Sequence, residues 1–206
     1  MHKNAELRMF RNAPRHPIQK SRKLLHQALI SLITEKNYES ITVQQILDRA
    51  DVGRSTFYTH FRDKDELLVM GFAHLRETLR NIQTKTSATA AEPYEKVIGF
   101  SLPMFEHLFE YRHEWKALRG SQACIIVRQS LQDIISSLIE RELKAAFQKR
   151  KNKDAAIPYE LFVNYLAATF MSVASWWLES KNPLAPDAVN DIYRALVTPS
   201  LKSNFD

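Results

Sequence analysis

The chain has 206 residues, of which 45% are hydrophobic and 25% charged, so it can bury a core and is not disordered overall. Its 4 glycines and 8 prolines argue against turn-rich β-sandwiches and glycine-rich nucleotide loops. The longest uncharged apolar run, residues 165–178, is shorter than the roughly 18 residues that a membrane span needs. No apolar segment typical of a secretory signal follows the basic N-terminus, and the single cysteine, Cys124, fits a reducing compartment. We therefore expect a soluble, cytoplasmic protein.

The basic charge is concentrated at one end of the chain. Residues 1–64 carry 12 of the 29 Lys and Arg residues but only 6 of the 23 Asp and Glu residues, so residues 65–206 hold 17 of each. Residues 1–64 thus hold the whole excess of positive charge. Such a segment is suited to nucleic-acid binding, because neutralisation of phosphates dominates the affinity of proteins for nucleic acids. A membrane surface as the partner, or a basic tail that only aids solubility, stays open on charge alone.

The first 64 residues predict a basic arm over residues 1–17 and then three helices over residues 18–64. In the first helix, from Ile18 to residues 36–37, apolar residues recur on one face. Thr42 and Gln45 have the spacing of a capping box and open the second helix. A break at residues 51–53 separates it from a third short helix, residues 54–61.

The remaining residues, 65–206, predict further helices and no strand. Asp63 is placed to cap a long helix that ends before a small, polar loop at residues 84–93. Pro103 is expected to kink or split the helical pattern of residues 94–114. Long helices follow at about residues 124–150 and from Pro158, and an amphipathic one at residues 188–197 ends the pattern. The fold class is predicted as all-α, with about nine helices.

Two short helices joined by a tight break, the second polar on its outer face, form the pattern of a helix-turn-helix. In such a motif the second helix lies in the major groove and presents side chains to the base edges. Arg54 is suited to a guanine edge or a phosphate, and Tyr58 to a phosphate oxygen. Lys64 stands at the start of the next helix, where a cation and free N–H groups attract phosphate. A small helical corner whose aromatic residues are only core is the alternative interpretation.

The run TVQQILDRADVGRSTFYTHFRDKDELL at residues 42–68 resembles the DNA-binding signature of the TetR/AcrR family of transcriptional regulators. The resemblance covers residues 21–72, and the rest of the chain agrees only in its layout of helices. Asp51 stands where the family often has Gly, and Gly53 where it often has Ser; both residue types are compatible with the turn. The resemblance implies that Thr42, Tyr58 and Lys64 hold the DNA backbone. It implies that the groove is faced by Arg54, Ser55, Thr56, Thr59 and His60.

The resemblance also implies that residues 65–206 bind an effector and form a homodimer. A helix that is apolar on nearly all sides, residues 161–178, gives independent support for the dimer, because it must be buried on all sides. The predicted interface consists of Leu161, Ala167, Ala174, Trp177, Val189, Ile192 and Leu196. Complete coverage of this helix within one chain is the alternative.

Aromatic and methionine side chains in the same segment favour an apolar or aromatic small molecule as the effector. The predicted pocket consists of Phe100, Met104, Phe105, His107, Phe109, Phe162, Tyr165 and Phe170. Aromatic stripes at helical spacing are also typical of a core, so this interpretation stays open. His107 and His113 lack a second ligand at helical spacing, and we predict neither a metal site nor a cofactor.

The favoured function is thus a ligand-responsive DNA-binding regulator, most often a repressor in the resembled family, that acts on a palindromic double-stranded operator. An architectural DNA-binding protein without an effector is the first alternative. A helical enzyme is the second, but the sequence has no HExxH, GxSxG or GxxxxGK[ST] motif to supply its chemistry, so no catalytic residue is predicted.

Overall fold

A computed structural model describes residues 17–89, 92–148 and 157–205, and these residues form helices and no strand. A short 3-10 helix at Tyr38–Ser40 lies between the first two α-helices. The α-helices are α1 (Pro17–Glu35), α2 (Val43–Ala50), α3 (Arg54–His60), α4 (Lys64–Thr89), α5 (Pro93–Ile98), α6 (Ser101–Glu110), α7 (Arg112–Ala117), α8 (Gln122–Gln148), α9 (Tyr159–Glu179) and α10 (Pro186–Phe205). The all-α fold class is confirmed.

The chain divides into two compact units, the first ending at Leu68 and the second beginning at Val69. In the first unit, α1, α2, α3 and the start of α4 enclose a small core. Leu25 and Leu29 of α1, Ile46 of α2, Phe57 of α3 and Leu67 of α4 are completely buried there. The apolar periodicity of α1 and the pair Phe57 and Phe61 thus supply the core side chains that the sequence predicts.

The second unit is centred on α9, which packs against α8, α10, α6 and α7. By length and composition alone α9 could cross a membrane, but 56% of its apolar window is buried inside the protein. Such burial is typical of the central helix of a helical bundle. Around it, the rings of Phe105, Phe170 and Tyr193 lie in contact, with Phe105 stacked on Phe170 at 4.5 Å between centroids.

Several helix boundaries differ from those that the sequence predicts. Helix α4 continues through the small, polar stretch and ends at Thr89. Within this stretch the Thr84 hydroxyl donates to the carbonyl oxygen of Arg80 at 2.8 Å. Helix α10 runs on to Phe205 with Pro199 inside it. Pro103 lies in the first turn of α6, where an N–H group would have no helical partner, and the break falls before it at Gly99.

Buried polar side chains tie the helices of the second unit together. The Nε2 atom of Gln83, in α4, donates to the carbonyl oxygens of Lys96 at 3.1 Å and Leu138 at 3.3 Å. Its Oε1 atom accepts from the guanidinium of Arg141 at 3.2 Å. Since Gln83 is fully buried, these bonds fix α4 against α5 and α8 through groups that would be costly to leave unpaired.

Candidate nucleic-acid interface

The turn between α2 and α3 has the geometry of a helix-turn-helix. Thr42 caps α2: its hydroxyl accepts from the backbone N–H of Gln45, and the Gln45 side chain accepts from the backbone N–H of Thr42. Asp51 ends α2 in the left-handed conformation, with φ of 52°. Gly53 then opens α3 in an extended conformation. The capping box that the sequence predicts is confirmed, and the backbone at Asp51 adopts the conformation that a Gly there would adopt without strain.

Helix α3 carries six of the predicted DNA-contacting residues on one short segment. Its inner side is fixed by Phe57, which is completely buried and meets the ring of Phe61 at 5.6 Å. The exposed side chains are Arg54, Ser55, Tyr58 and Thr59, and the half-buried ones are Thr56 and His60. Tyr58 is 52% exposed and ready to donate its hydroxyl, whereas the Thr59 hydroxyl already donates to the carbonyl oxygen of Ser55 at 2.8 Å.

Arg54 is held by a side chain of the preceding helix. Its Nη2 atom donates to Oε1 of Gln44 at 2.8 Å, and Nε2 of Gln44 donates to Oδ1 of Asp48 at 2.7 Å. All three side chains are exposed. Gln44 and Asp48 were not among the predicted site residues, although their i,i+4 spacing on one face of α2 predicts that they contact each other.

Lys64 does not point to solvent as a predicted phosphate contact would. Its ammonium group donates to the carbonyl oxygens of Tyr38 at 2.7 Å, Ile41 at 2.8 Å and Glu39 at 3.3 Å. It also lies 4.5 Å from the centre of the Tyr38 ring. An ammonium group has three donors, and all three are directed at the 3-10 segment. In this structure Lys64 therefore holds the chain segment that leads into α2.

Tyr38 forms a second link between the 3-10 helix and the start of α4. Its hydroxyl donates to the carboxylate of Asp65, and burial together with that carboxylate raises the pKa of Tyr38 well above its usual value. The phenol thus stays protonated and keeps donating at all ordinary pH values. No local sequence pattern indicates this contact, because the two residues are 27 positions apart.

Helices α1 and α2 are joined by a bidentate ion pair. The two terminal nitrogens of Arg49 donate to the two carboxylate oxygens of Glu35 at 2.7 and 2.8 Å, which lowers the pKa of Glu35. Both partners are largely exposed, so the pair contributes modestly to stability and mainly fixes the angle between the two helices.

The predicted effector-pocket residues are placed mostly inside the core of the second unit. Phe100, Met104, Phe105 and Phe170 are completely buried and Phe162 is nearly so. Within this core the Phe170 ring contacts the rings of Phe100 and Phe105, at 5.6 and 4.5 Å between centroids. Of the others, Tyr165 is exposed, and Phe109 and His107 are half-buried, with the Nδ1 atom of the His107 imidazole turned away from solvent. Burial lowers the pKa of His107 to about 4, so its imidazole is neutral near pH 7.

The predicted dimer residues separate into two groups. Ala167, Ala174, Trp177 and Val189 are buried within one chain, so these side chains are not available to a second copy. Leu161 and Leu196 are exposed by 59% and 52%, and Ile192 is half-buried. Two further exposed side chains, Tyr165 and Trp176, were not part of the predicted interface. An all-round apolar helix carries no periodicity that distinguishes its covered sides from its open one.

We use the name exposed apolar face for Leu161, Tyr165 and Trp176 of α9 together with Leu196 of α10. The three α9 residues fall within about 60° of one another around the helix axis. The Tyr165 hydroxyl donates to the carbonyl oxygen of Leu196 at 3.4 Å, so α9 and α10 adjoin at these two residues. Among the described residues no group of three or more His, Cys, Asp or Glu side chains is placed to hold a metal ion.

The helix-turn-helix is similar to that of a known protein family. The family model described as bacterial regulatory proteins, tetR family, matches residues 25–69, which span the helix-turn-helix and its flanking helices. The HTH-type transcriptional repressor KstR2 of Mycolicibacterium smegmatis is 22% identical over 204 residues, with 92% of this chain and 94% of that protein covered.

Solved structures share the whole fold. A TetR-family regulator from Syntrophomonas wolfei superposes with a TM-score of 0.71 at 16% identity, covering 88% of this chain and 95% of that one. Thermus thermophilus FadR, a TetR-family transcriptional repressor in complex with lauroyl-CoA, superposes with a TM-score of 0.57 at 18% identity, covering 86% and 93%. At these identities the superpositions establish a common architecture.

Proposed function

We propose that this chain, which belongs to the tetR family of bacterial regulatory proteins, represses transcription in the cytoplasm as a homodimer on a palindromic operator. We propose further that a small apolar or aromatic ligand releases it from the DNA, and that it has no catalytic role. The observation that carries the proposal is α3, a short helix fixed by buried Phe57 that presents Arg54, Ser55 and Tyr58 to solvent.

The arrangement matches the physical demands of groove recognition. A helix fits the major groove when its inner side is anchored and its first turn carries hydrogen-bonding side chains. Arg54 is the first residue of α3, and a guanidinium there matches the two acceptors of a guanine edge. Thr42 and Tyr58 are exposed and suited to phosphate oxygens, which fix the register of the protein on the duplex.

The exposed apolar face supports the homodimer. Its four side chains are large and between 39% and 59% exposed, which is a costly arrangement for an isolated chain in water. One α3 helix contacts only a few base pairs, so sequence specificity calls for two copies related by a two-fold axis. A second copy of the same face satisfies both requirements.

The test of DNA recognition starts from duplexes that the wild-type chain selects out of a random-sequence pool. We expect a palindromic consensus whose binding weakens steeply with salt. Arg54→Ala should lower the preference for one base pair in each half-site by roughly 5- to 150-fold, because a bidentate contact contributes about 1–3 kcal/mol of discrimination. Titration of fluorescent duplexes that differ at single positions measures this preference.

The outcomes of that experiment are distinct. A uniform loss of affinity on all duplexes would make Arg54 a phosphate contact. Failure of the wild type to select any consensus would refute a sequence-specific regulator and leave an architectural DNA-binding protein.

For the ligand, we propose that an apolar chain is the recognised group, and we use the lauroyl chain of lauroyl-CoA, the compound in complex with Thermus thermophilus FadR, as the probe. Lauroyl-CoA should lower operator affinity by roughly 5- to 150-fold, the scale of an ordinary allosteric coupling of about 1–3 kcal/mol. A ligand shifts the equilibrium only by binding one conformation better than the other. Free coenzyme A is the control, since it carries the same phosphates and competes with DNA only through charge. The measurement is operator titration at fixed ionic strength with either compound.

One observation favours the alternative without an effector: the rings of Phe105 and Phe170 stack closely where the predicted ligand would sit. If neither acyl-CoA esters nor small aromatic compounds change operator affinity or melting temperature, the ligand part of the proposal is wrong. The chain is then a constitutive DNA-binding protein.

A further inference from the structure

The contact between Arg54 and α2 has a consequence for how DNA sequence is read. Arg54 is the first residue of α3, and its long side chain turns back across the helix-turn-helix to reach Gln44. Gln44 lies in the first turn of α2, on the exposed side, opposite the buried residue Ile46. The two helices are thus joined by a polar contact as well as by their core.

The orientation of the Gln44 amide is dictated by its two partners. Arg54 offers only N–H donors, so the amide must turn its oxygen towards the guanidinium. The carboxylate of Asp48 offers only acceptors, so the amide nitrogen must turn to that side. One amide orientation satisfies both bonds, and the chain from Arg54 through Gln44 to Asp48 is directional.

This contact restrains Arg54 without using up its recognition capacity. The bond to Gln44 takes one of the five N–H donors of the guanidinium, and a guanine edge requires two. Because the neutral Gln44 side chain stands between them, the Asp48 carboxylate is not bonded directly to the Arg54 guanidinium, where it would compete with DNA. An exposed arginine without such a restraint would lose its rotational freedom only on binding, which weakens the complex.

We infer that Gln44, oriented by Asp48, is a positioning residue that presets the Arg54 guanidinium for a guanine edge in each half-site. The inference rests on the proposed sequence-specific binding. It assigns part of the specificity to α2, the helix that otherwise only braces the motif, and to a residue that need not touch a base itself.

The test uses the full-length chain and Gln44→Met, which keeps the length and the helix propensity of the side chain but removes the amide. Affinities are measured for the duplex selected by the wild type and for a scrambled duplex of equal length. The ratio of the two affinities should fall roughly 2- to 10-fold for each half-site, the cost of ordering one long side chain on binding. Affinity for the scrambled duplex and the salt slope should stay unchanged, because no charge is removed.

Two controls separate positioning from a structural effect. Gln27→Met makes the same change at an exposed position of α1 and should leave the affinity ratio at the wild-type value. Both variants should melt within about 2 °C of the wild type, since each changes an exposed side chain. In the Arg54→Ala background, Gln44→Met should have no further effect on the ratio, because the residue it positions is gone.

Each outcome decides between roles. If Gln44→Met lowers the ratio equally with and without Arg54, or changes the preferred base at a position of its own, Gln44 reads DNA directly and the inference is wrong. An unchanged ratio in a wild-type background that does prefer its selected duplex overturns the inference while leaving the proposed function intact. Loss of preference in the wild type itself would refute the proposed function instead.

Discussion

Leu196→Glu is expected to leave the chain monomeric and to weaken operator binding roughly 100-fold or more. Leu196 belongs to the exposed apolar face, is 52% exposed and adjoins Tyr165 through its carbonyl oxygen. Two facing carboxylates across a two-fold axis would be desolvated and would repel each other. Two linked α3 helices bind two half-sites with a gain of about 10²–10⁴ over one, and a monomer loses that gain. Light scattering should give a mass near the 23.9 kDa of one chain.

The matched control is Ile125→Glu, which introduces the same charge on α8. Ile125 is even more exposed, at 65%, but is not part of the exposed apolar face. This variant should keep the mass and the operator affinity of the wild type. If Leu196→Glu behaves like Ile125→Glu, or if the wild type itself scatters as a single chain, the face is not the dimer interface.

For the second unit, the sequence alone does not show which residues of its apolar helices are exposed. The sequence indicates that the helix from Pro158 is apolar on nearly all sides and must be covered. It does not indicate which side the chain itself covers, because that depends on where α8 and α10 lie. Charge at Ala174, which is 4% exposed, would therefore test core packing and not association.

The first unit was largely predictable because its signals are local. The Thr42 and Gln45 capping box, the left-handed turn at Asp51 and the inward pair Phe57 and Phe61 each follow from residues within a few positions of one another. The role of Lys64 was not predictable in this way. Its three carbonyl partners lie 23 to 26 positions earlier, on a 3-10 segment that carries no apolar periodicity.

A similar limit applies to the aromatic residues of the second unit. Their spacing predicts that Phe100, Met104 and Phe105 share one face of a helix, and the structure places all three inside. Spacing does not reveal whether the space next to that face is filled by other side chains or left for a ligand. Here Phe170 and Trp177 of α9 and Tyr193 of α10 fill it.

Phe105→Ala is therefore expected to lower the free energy of unfolding of the second unit by about 3–5 kcal/mol, the range for removal of a buried phenyl ring. Phe105 is completely buried, stacks on Phe170 at 4.5 Å and meets the edge of Trp177 at 5.7 Å between ring centres. Urea denaturation followed by tryptophan fluorescence measures the loss. All three tryptophans of the chain lie in this unit, so their emission reports on it.

Phe109→Ala provides the comparison on the same helix, one turn further along. Its ring is only half-buried, although it stacks on Trp177 at 5.7 Å, so its removal should cost about 1 kcal/mol. If Phe105→Ala lowered the free energy of unfolding no more than Phe109→Ala does, the Phe105 ring would have little to pack against and a cavity would adjoin it. The predicted effector pocket would then lie at Phe105 after all. The expected large difference would instead require any ligand of this unit to displace packed rings, so that binding and a change in helix packing occur together.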